Sequence, residues 1–394
     1  MRHLKHLAAL SAVILAAAGC IYPFDPVVEG TDGRLVVEGD IHVGSVSDFS
    51  FSRVYPIGDE EITLSAPVVR GYIEGEDGTR VDSAPKPVDG SGIGQEYGSY
   101  SLRFDTTDLT SGQKYRLHFE EQSSGAVYES DWIEVCPAPV IDDLSYILDE
   151  GREEMNVALS MHCNGRSHFR WHYDEEWEYH ARDWARHYFD PVSGTVKEYP
   201  DGENTYYCWS SFKSPQIKIF STADQVDDRF VDLEFHRIHR SEQRIQVLYH
   251  ITVYLEALDE EAYKYWNNIQ VNSQNQGTIF SPTPSQMQGN IRCLSDPAVQ
   301  VIGYISAAEQ AVADMYYDNL VEKFYRDPYT SPIIKEEVEP FNFYEYYRRG
   351  YALYYIVEDI GSPTVYVWTL DSCVDCRKSG GTKTKPSHWP NNHI

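Results

Sequence analysis

The chain has 394 residues, 42% hydrophobic and 13% aromatic with 30 tyrosines, a globular composition that excludes an intrinsically disordered chain. A formal net charge of −28 excludes a nucleic-acid-binding surface and repels anionic lipid headgroups, so the body is expected to stand off any membrane that holds it. The length exceeds one ordinary core, making two domains the default expectation.

Arg2 and Lys5 open the chain, and neither Asp nor Glu precedes Cys20. Leu7 to Ala18 is apolar apart from Ser11. It falls short of the ~20 residues that span a bilayer and has the charge, length and small-residue exit of a cleavable signal. The exit Ala17-Ala18-Gly19-Cys20 resembles the lipobox of bacterial lipoproteins, with Ala17 where Leu is usual. It implies a signal peptide over 1–19, lipidation of the Cys20 thiol, and a Pro- and Gly-bearing tether over 20–33. Several acyl chains anchor firmly, since each buried CH₂ contributes ~0.8 kcal/mol. Cleavage removes Arg2 and Lys5 and takes the charge from −28 to −30.

From residue 34 to 135 short β-branched and aromatic runs recur between Gly, Asp and Ser clusters. Leu35 to Ile41, Val68 to Glu74, Tyr100 to Phe104 and Tyr115 to Phe119 read as strands, and their spacing near ten residues predicts an immunoglobulin-like β-sandwich. Ser83 to Gly98, with Pro85 and Pro87, reads as an exposed loop. Cys136-Pro137-Ala138-Pro139 marks a stiff joint to a second domain over 136–372.

That second domain is predicted to be larger and β-rich with a few helices. Phe169 to Tyr173 alternates, Ile217 to Phe220 does so more weakly, and Arg244 to Leu255 is the longest β run. Asp259 can cap a helix in which Glu260 and Glu261 sit in the first turn and Ala262, Tyr265, Trp266 and Ile269 share one face. Ala307 to Leu320 also reads as helix by propensity. A tail over 373–394 holds Cys373-Val374-Asp375-Cys376.

At the capped helix an ordered series of motifs begins. Asp259 to Trp266 is followed by Gly277-Thr278-Ile279-Phe280-Ser281-Pro282-Thr283-Pro284, Gly289-Asn290-Ile291 and Val301-Ile302-Gly303-Tyr304-Ile305. Cys373 to Arg377, Gly380-Gly381-Thr382, Lys385-Pro386 and Trp389 close it, and Leu35-Val36-Val37-Glu38-Gly39 opens the mature chain. The series resembles, over nearly the whole mature chain, an uncharacterised Bacteroidota lipoprotein family catalogued as domain of unknown function 4249. Cys293 after the Gly289-Asn290-Ile291 motif and His388 before Trp389 depart from its pattern. The resemblance implies an outer-membrane lipoprotein, often encoded beside a TonB-dependent receptor, with no established catalytic residues.

Setting Cys20 aside leaves Cys136, Cys163, Cys208, Cys293, Cys373 and Cys376, which allow 15 pairings. An exported chain favours disulfides, and a bond between Cys373 and Cys376 leads over a metal site or free thiols. His162, His168, His172, His180 and His187 crowd a region with Asp174, Glu175, Glu176 and Asp183, but their spacing matches no zinc signature and they read as sheet-face residues. The acidic pairs Asp142-Asp143, Asp227-Asp228 and Glu336-Glu337 lack a calcium-loop pattern. No nucleophile or phosphate-loop motif is present. Trp171, Tyr173, Trp177, Tyr179, Trp184 and Tyr188 are candidate ligand-binding aromatics, with core and sheet cover as the commoner use. Asp82-Ser83-Ala84 and Asp105-Thr106-Thr107 match a short O-glycan acceptor pattern.

The expectation is therefore a mainly β, non-catalytic lipoprotein with no metal and no cofactor. It is held on the outer membrane through Cys20 and serves a TonB-dependent transporter in nutrient capture. An independent adhesin or matrix-binding lipoprotein is the alternative, followed by a hydrolase with an unrecognised site.

Overall fold

The computed structural model describes residues 33–54, 66–88, 92–93, 95–96, 98–214, 218–223, 227–274, 289–328 and 333–390. The signal peptide, Cys20, the tether up to residue 32 and the motif over 277–284 lie outside the described residues. The fold is mainly β. No described helix is long and apolar enough to cross a membrane.

The first body contains β1 (Leu35–Gly39), β2 (Ile41–Val43), β3 (Ser45–Arg53), β4 (Val69–Gly75), β5 (Ser99–Thr106), β6 (Lys114–Glu121) and β7 (Val127–Ser130). Burial alternates along β3 at Ser47, Phe49 and Phe51, and along β6 at Tyr115, Leu117 and Phe119, as strands with one dry face require. β1, β3 and β5 pair in one antiparallel sheet, while β4, β6 and β7 pair in the facing one. The two inner faces meet over Val37, Phe49, Phe51, Phe104, Ile73, Leu117 and Phe119, all at most 1% exposed. Each such side chain contributes about 1.5–3 kcal/mol by leaving water. Within the stretch expected as a loop from Ser83 to Gly98, described residues form strands: Ala84–Pro85 pairs with β5, and Pro87–Val88 with Gly92–Ile93.

The stretch 34–135 does not close this sandwich alone. Ile291–Cys293 extends the sheet beside β7, and Val301–Ile302 runs parallel to β1. Ile291, Cys293, Val301 and Ile305 belong to the sandwich core. The paired strands then leave together. Gly39 (φ 141°) ends β1 and Gly303 (φ 142°) follows its partner. A Cβ at Gly39 would stand 2.5 Å from the Asp48 carbonyl and one at Gly303 2.2 Å from that of Val37, so both the backbone conformation and the space demand glycine. Two residues beyond Gly39, β2 enters the next sheet, parallel to Ala307–Glu309.

The second body holds β8 (Val140–Leu148), β9 (Glu154–His162), β10 (His168–His180), β11 (Tyr207–Lys213), β12 (Arg229–His239), β13 (Leu248–Leu258), α1 (Glu260–Gln274) and β14 (Ala307–Asp318). Its main sheet runs β11-β10-β13-β14-β2, with β13 paired on both edges. β8, β9 and β12 form a three-stranded sheet that covers one face, burying Met155, Val157 and Ile238 against Tyr249, Ile251, Val253 and Tyr317. α1 is capped as expected, the Ala262 N–H donating to Asp259 Oδ1 at 2.7 Å. The expected helix at Ala307 to Leu320 is instead β14. Its alanines favour helix in isolation, but nine registered pairs with β13 from Leu248↔Asp318 to Glu256↔Gln310 decide otherwise.

The joint between the bodies is hydrogen-bonded. The Cys136 N–H donates to the Ala307 carbonyl, the Glu309 N–H donates to that of Cys136, and burial pushes the Cys136 thiol up to about 11. Fully buried Arg170 donates from Nη2 to Asp40 Oδ2 at 2.7 Å and to Glu256 Oε2 at 2.5 Å. His42 Nδ1 stands 2.9 Å from Glu256 Oε1, Gln310 donates to the same oxygen, and the Ser306 N–H donates to Asp40. Burial alone would raise the Glu256 pKa, but the charges of Arg170 and His42 hold it well below the usual carboxylate range.

The final segment builds a small lobe from α2 (Phe343–Arg348), β15 (Tyr351–Val357) and β16 (Val365–Leu370), packed on the hairpin His187–Asp190/Thr195–Glu198. Phe189, Val338, Phe343, Leu353 and Trp368 are its core. Residues 373–390 then return to the second body. Cys376 is bonded to Cys208 of β11, not to Cys373, which is buried and free. The local pair is displaced because Cys373 sits in the turn Asp371–Val374, whereas Cys376 begins the next one, where its N–H donates to the Thr205 carbonyl beside β11.

Candidate functional site

A cleft of about 730 Å³ opens between the hairpin and the C-terminal lobe. The hairpin contributes Tyr188 and the strand after it Tyr199, their rings 4.7 Å apart. α2 contributes Tyr347 and Arg348, β15 contributes Tyr351, and buried Trp368 forms part of the floor against Phe189 at 5.8 Å. Tyr199 is held in place by a 3.4 Å contact to Thr205, and burial pushes its phenol pKa up.

The charges at the rim are largely satisfied by one another. Arg377 donates to Asp375 twice, at 2.7 and 2.9 Å, and Lys378 Nζ lies 3.0 Å from Asp371. The lining contains no Ser, Cys or His. Such a recess offers aromatic faces, phenolic hydroxyls and neutralised ion pairs, which suit stacking and hydrogen bonding to a neutral polar ligand.

Of the aromatics singled out from sequence, Tyr188 lines the cleft and the others lie elsewhere. Trp171 packs edge-on against Phe220 and Phe235, Tyr173 is buried in the core of the second body, and Trp177 packs against that same core. Alternation along β10 points all three at the three-stranded sheet. Trp184 is 50% exposed and apart from them, so the four form no common recess. The histidines are also dispersed. His162 contacts Asp142, His168 stacks on Tyr263, His172 stacks on Tyr254, and His180 contacts Glu178. Thr106 of the glycan-like pattern is wholly buried and hydrogen-bonded to the His42 and Ser45 carbonyls, closed to modification in the folded chain.

A polar network that sequence missed lies inside the second body. Glu175, fully buried, accepts from Tyr249 at 2.7 Å and from Arg244 at 2.9 and 3.0 Å, with His236 Nε2 3.0 Å away. Burial would raise its pKa, but His236 and Arg244 outweigh that and keep it low. Saturated by partners, Glu175 orders the core rather than presenting a reactive group.

Residues 21–313 match the model of the family described as Domain of unknown function (DUF4249). The chain belongs to that family. The match takes in the sandwich, most of the second body and the hairpin wall of the cleft but ends inside β14, so the family model does not reach the C-terminal lobe. No curated protein matches the chain. Among solved structures, a DUF4785 family protein from Legionella pneumophila is 7% identical, over 56% of this chain and 52% of its own, with a TM-score of 0.19. The chain thus spans about half the length of that protein, and the likeness is too loose to bear on fold or function.

Proposed function

We propose that this family member is a non-catalytic lipoprotein of a Bacteroidota outer membrane, tethered through Cys20, that captures a neutral, hydroxyl-rich ligand for a TonB-dependent transporter. The observation that carries the capture reading is the tyrosine-lined cleft, at whose rim Arg377 pairs with Asp375 and Lys378 with Asp371. Oligosaccharides are the ligand class that such a surface suits, because tyrosine faces stack on C–H-rich sugar faces while phenols exchange hydrogen bonds with hydroxyls. The tether reading is supported by Arg2, Lys5, the apolar run and Ala17-Ala18-Gly19-Cys20.

Solubilising native membranes and recovering the protein tests the tether and the partner together. The expected product begins at an acylated Cys20 and brings a β-barrel receptor with it, while Cys20→Ser leaves the protein in the soluble fraction. An unacylated chain retaining residues 1–19, or recovery with no receptor after mild cross-linking, would overturn the proposal.

A further inference from the structure

On the outer face of the main sheet, away from the three-stranded layer and sharing no residue with the cleft, three side chains from distant parts of the chain converge. Glu176 of β10 and His250 of β13 are directly opposite in register, so their side chains leave the same face. Asp314 and Tyr316 of β14 flank His250 on that face, since His250 is registered with Tyr316 and Thr252 with Asp314. The third of the converging side chains is His388, which the returning tail lays across the strands.

That tail is fixed at several points. The disulfide to Cys208 holds one end, Thr382 exchanges two backbone hydrogen bonds with Trp209, and Trp389 buries its indole while donating to Glu178 at 2.9 Å. Tyr316 donates to the His388 carbonyl at 3.3 Å. His388 Nε2 thereby stands 3.0 Å from Glu176 Oε2, and His250 Nδ1 stands 3.6 Å from that same oxygen. All donor atoms of Glu176, His250 and His388 lie within 4.8 Å of one another.

We infer that Glu176, His250 and His388 form a binding site for a divalent transition metal of the zinc type. Two imidazoles and one carboxylate are a donor set for such an ion, and ligands around tetrahedral zinc at about 2.1 Å sit about 3.4 Å apart, between the two short separations found here. His250 is oriented for the role. Its Nε2 is 3.2 Å from Asp314 Oδ2, a partner for a proton on that nitrogen, and in that tautomer Nδ1 turns a lone pair toward Glu176. A carboxylate behind a ligating histidine is the usual means of fixing its tautomer and raising its basicity. His250 is buried and stacked on Tyr316 at 4.3 Å, whereas His388 is half exposed, so a fourth position faces water. Bound metal would fasten the tail to the sheet where the disulfide does not reach.

The untagged mature chain, stripped with a chelator and titrated with Zn²⁺ against a chromophoric competitor near neutral pH, tests the site. The expected result is one equivalent bound, with His388→Ala and Glu176→Gln each weakening binding by at least tenfold and Asp314→Asn by about tenfold. His388→Ala is the deciding variant because its exposed side chain is dispensable for folding. Zn²⁺ should raise the melting temperature of the parent chain and leave that of His388→Ala unmoved, and Ca²⁺ should do neither. Absence of binding, equal binding by His388→Ala, or an equal response to Ca²⁺ would overturn the inference.

Discussion

Two junctions bring distant segments of this chain together, and they use charge in opposite ways. Between the sandwich and the second body, buried Arg170 and Glu256 pair with each other and with partly buried Asp40 and His42. Between the hairpin and the C-terminal lobe, ion pairs such as Arg377–Asp375 and Lys378–Asp371 stay at a wetted rim around a tyrosine-lined recess. A largely buried, ion-paired junction fixes the orientation of two bodies and leaves little room for a ligand. A wet one contributes little to stability and keeps a surface available.

The sharpest way to break that contrast is Arg170→Met. It leaves Asp40 without its counter-charge and Glu256 with His42 alone, and should cost about 3–5 kcal/mol, read as a lower urea midpoint. Replacing Glu256 by Leu in the same chain should recover part of that loss, because the uncompensated carboxylate goes with it. Next in size, Cys208→Ser should cost about 2–4 kcal/mol and expose residues 377–390 to proteolysis, whereas Cys373→Ser should leave the tail protected.

The joint should also respond to pH. Burial works to lower the pKa of His42, but Glu256 and Asp40 outweigh burial and the opposing Arg170, so its folded value lies above the ordinary one of about 6.5. The stabilisation it provides is therefore complete below about pH 6.5 and fades as pH rises through the higher folded value. Glu256, depressed, contributes above about pH 4.5 and is lost only as pH falls through its lower folded value. Melting temperature should decline on the alkaline side of neutrality in the parent and decline less in His42→Gln, in which the neighbouring His172, Asp40 and Arg170 are unchanged. The smallest effect on stability is expected at the cleft, where Tyr347→Ala should stay within about 0.5 kcal/mol of the parent.

The individual strands were legible from sequence and their assembly was not. Alternation at Tyr115 to Phe119 and the Asp259 cap are local signals, and both appear where the residues placed them. The sandwich edge at 291–302, the pairing of Cys376 with Cys208 across 168 residues, and the strand at Ala307–Asp318 are set by partners far away in the chain, which local pattern does not encode. Likewise Trp171 and Tyr173 looked like a binding stripe because alternation is the same for a core face and a ligand face. At the cleft, Tyr188 is among the aromatics singled out from sequence, whereas Tyr347 and Tyr351 of the opposite wall are not.

Titration of the purified mature chain with a panel of neutral oligosaccharides, followed by intrinsic fluorescence, tests the capture reading most directly. The account predicts saturable binding by at least one of them, weakened about tenfold in both Tyr347→Ala and Tyr199→Ala without loss of fold. No saturation by any saccharide, or binding that both variants retain unchanged, would contradict it.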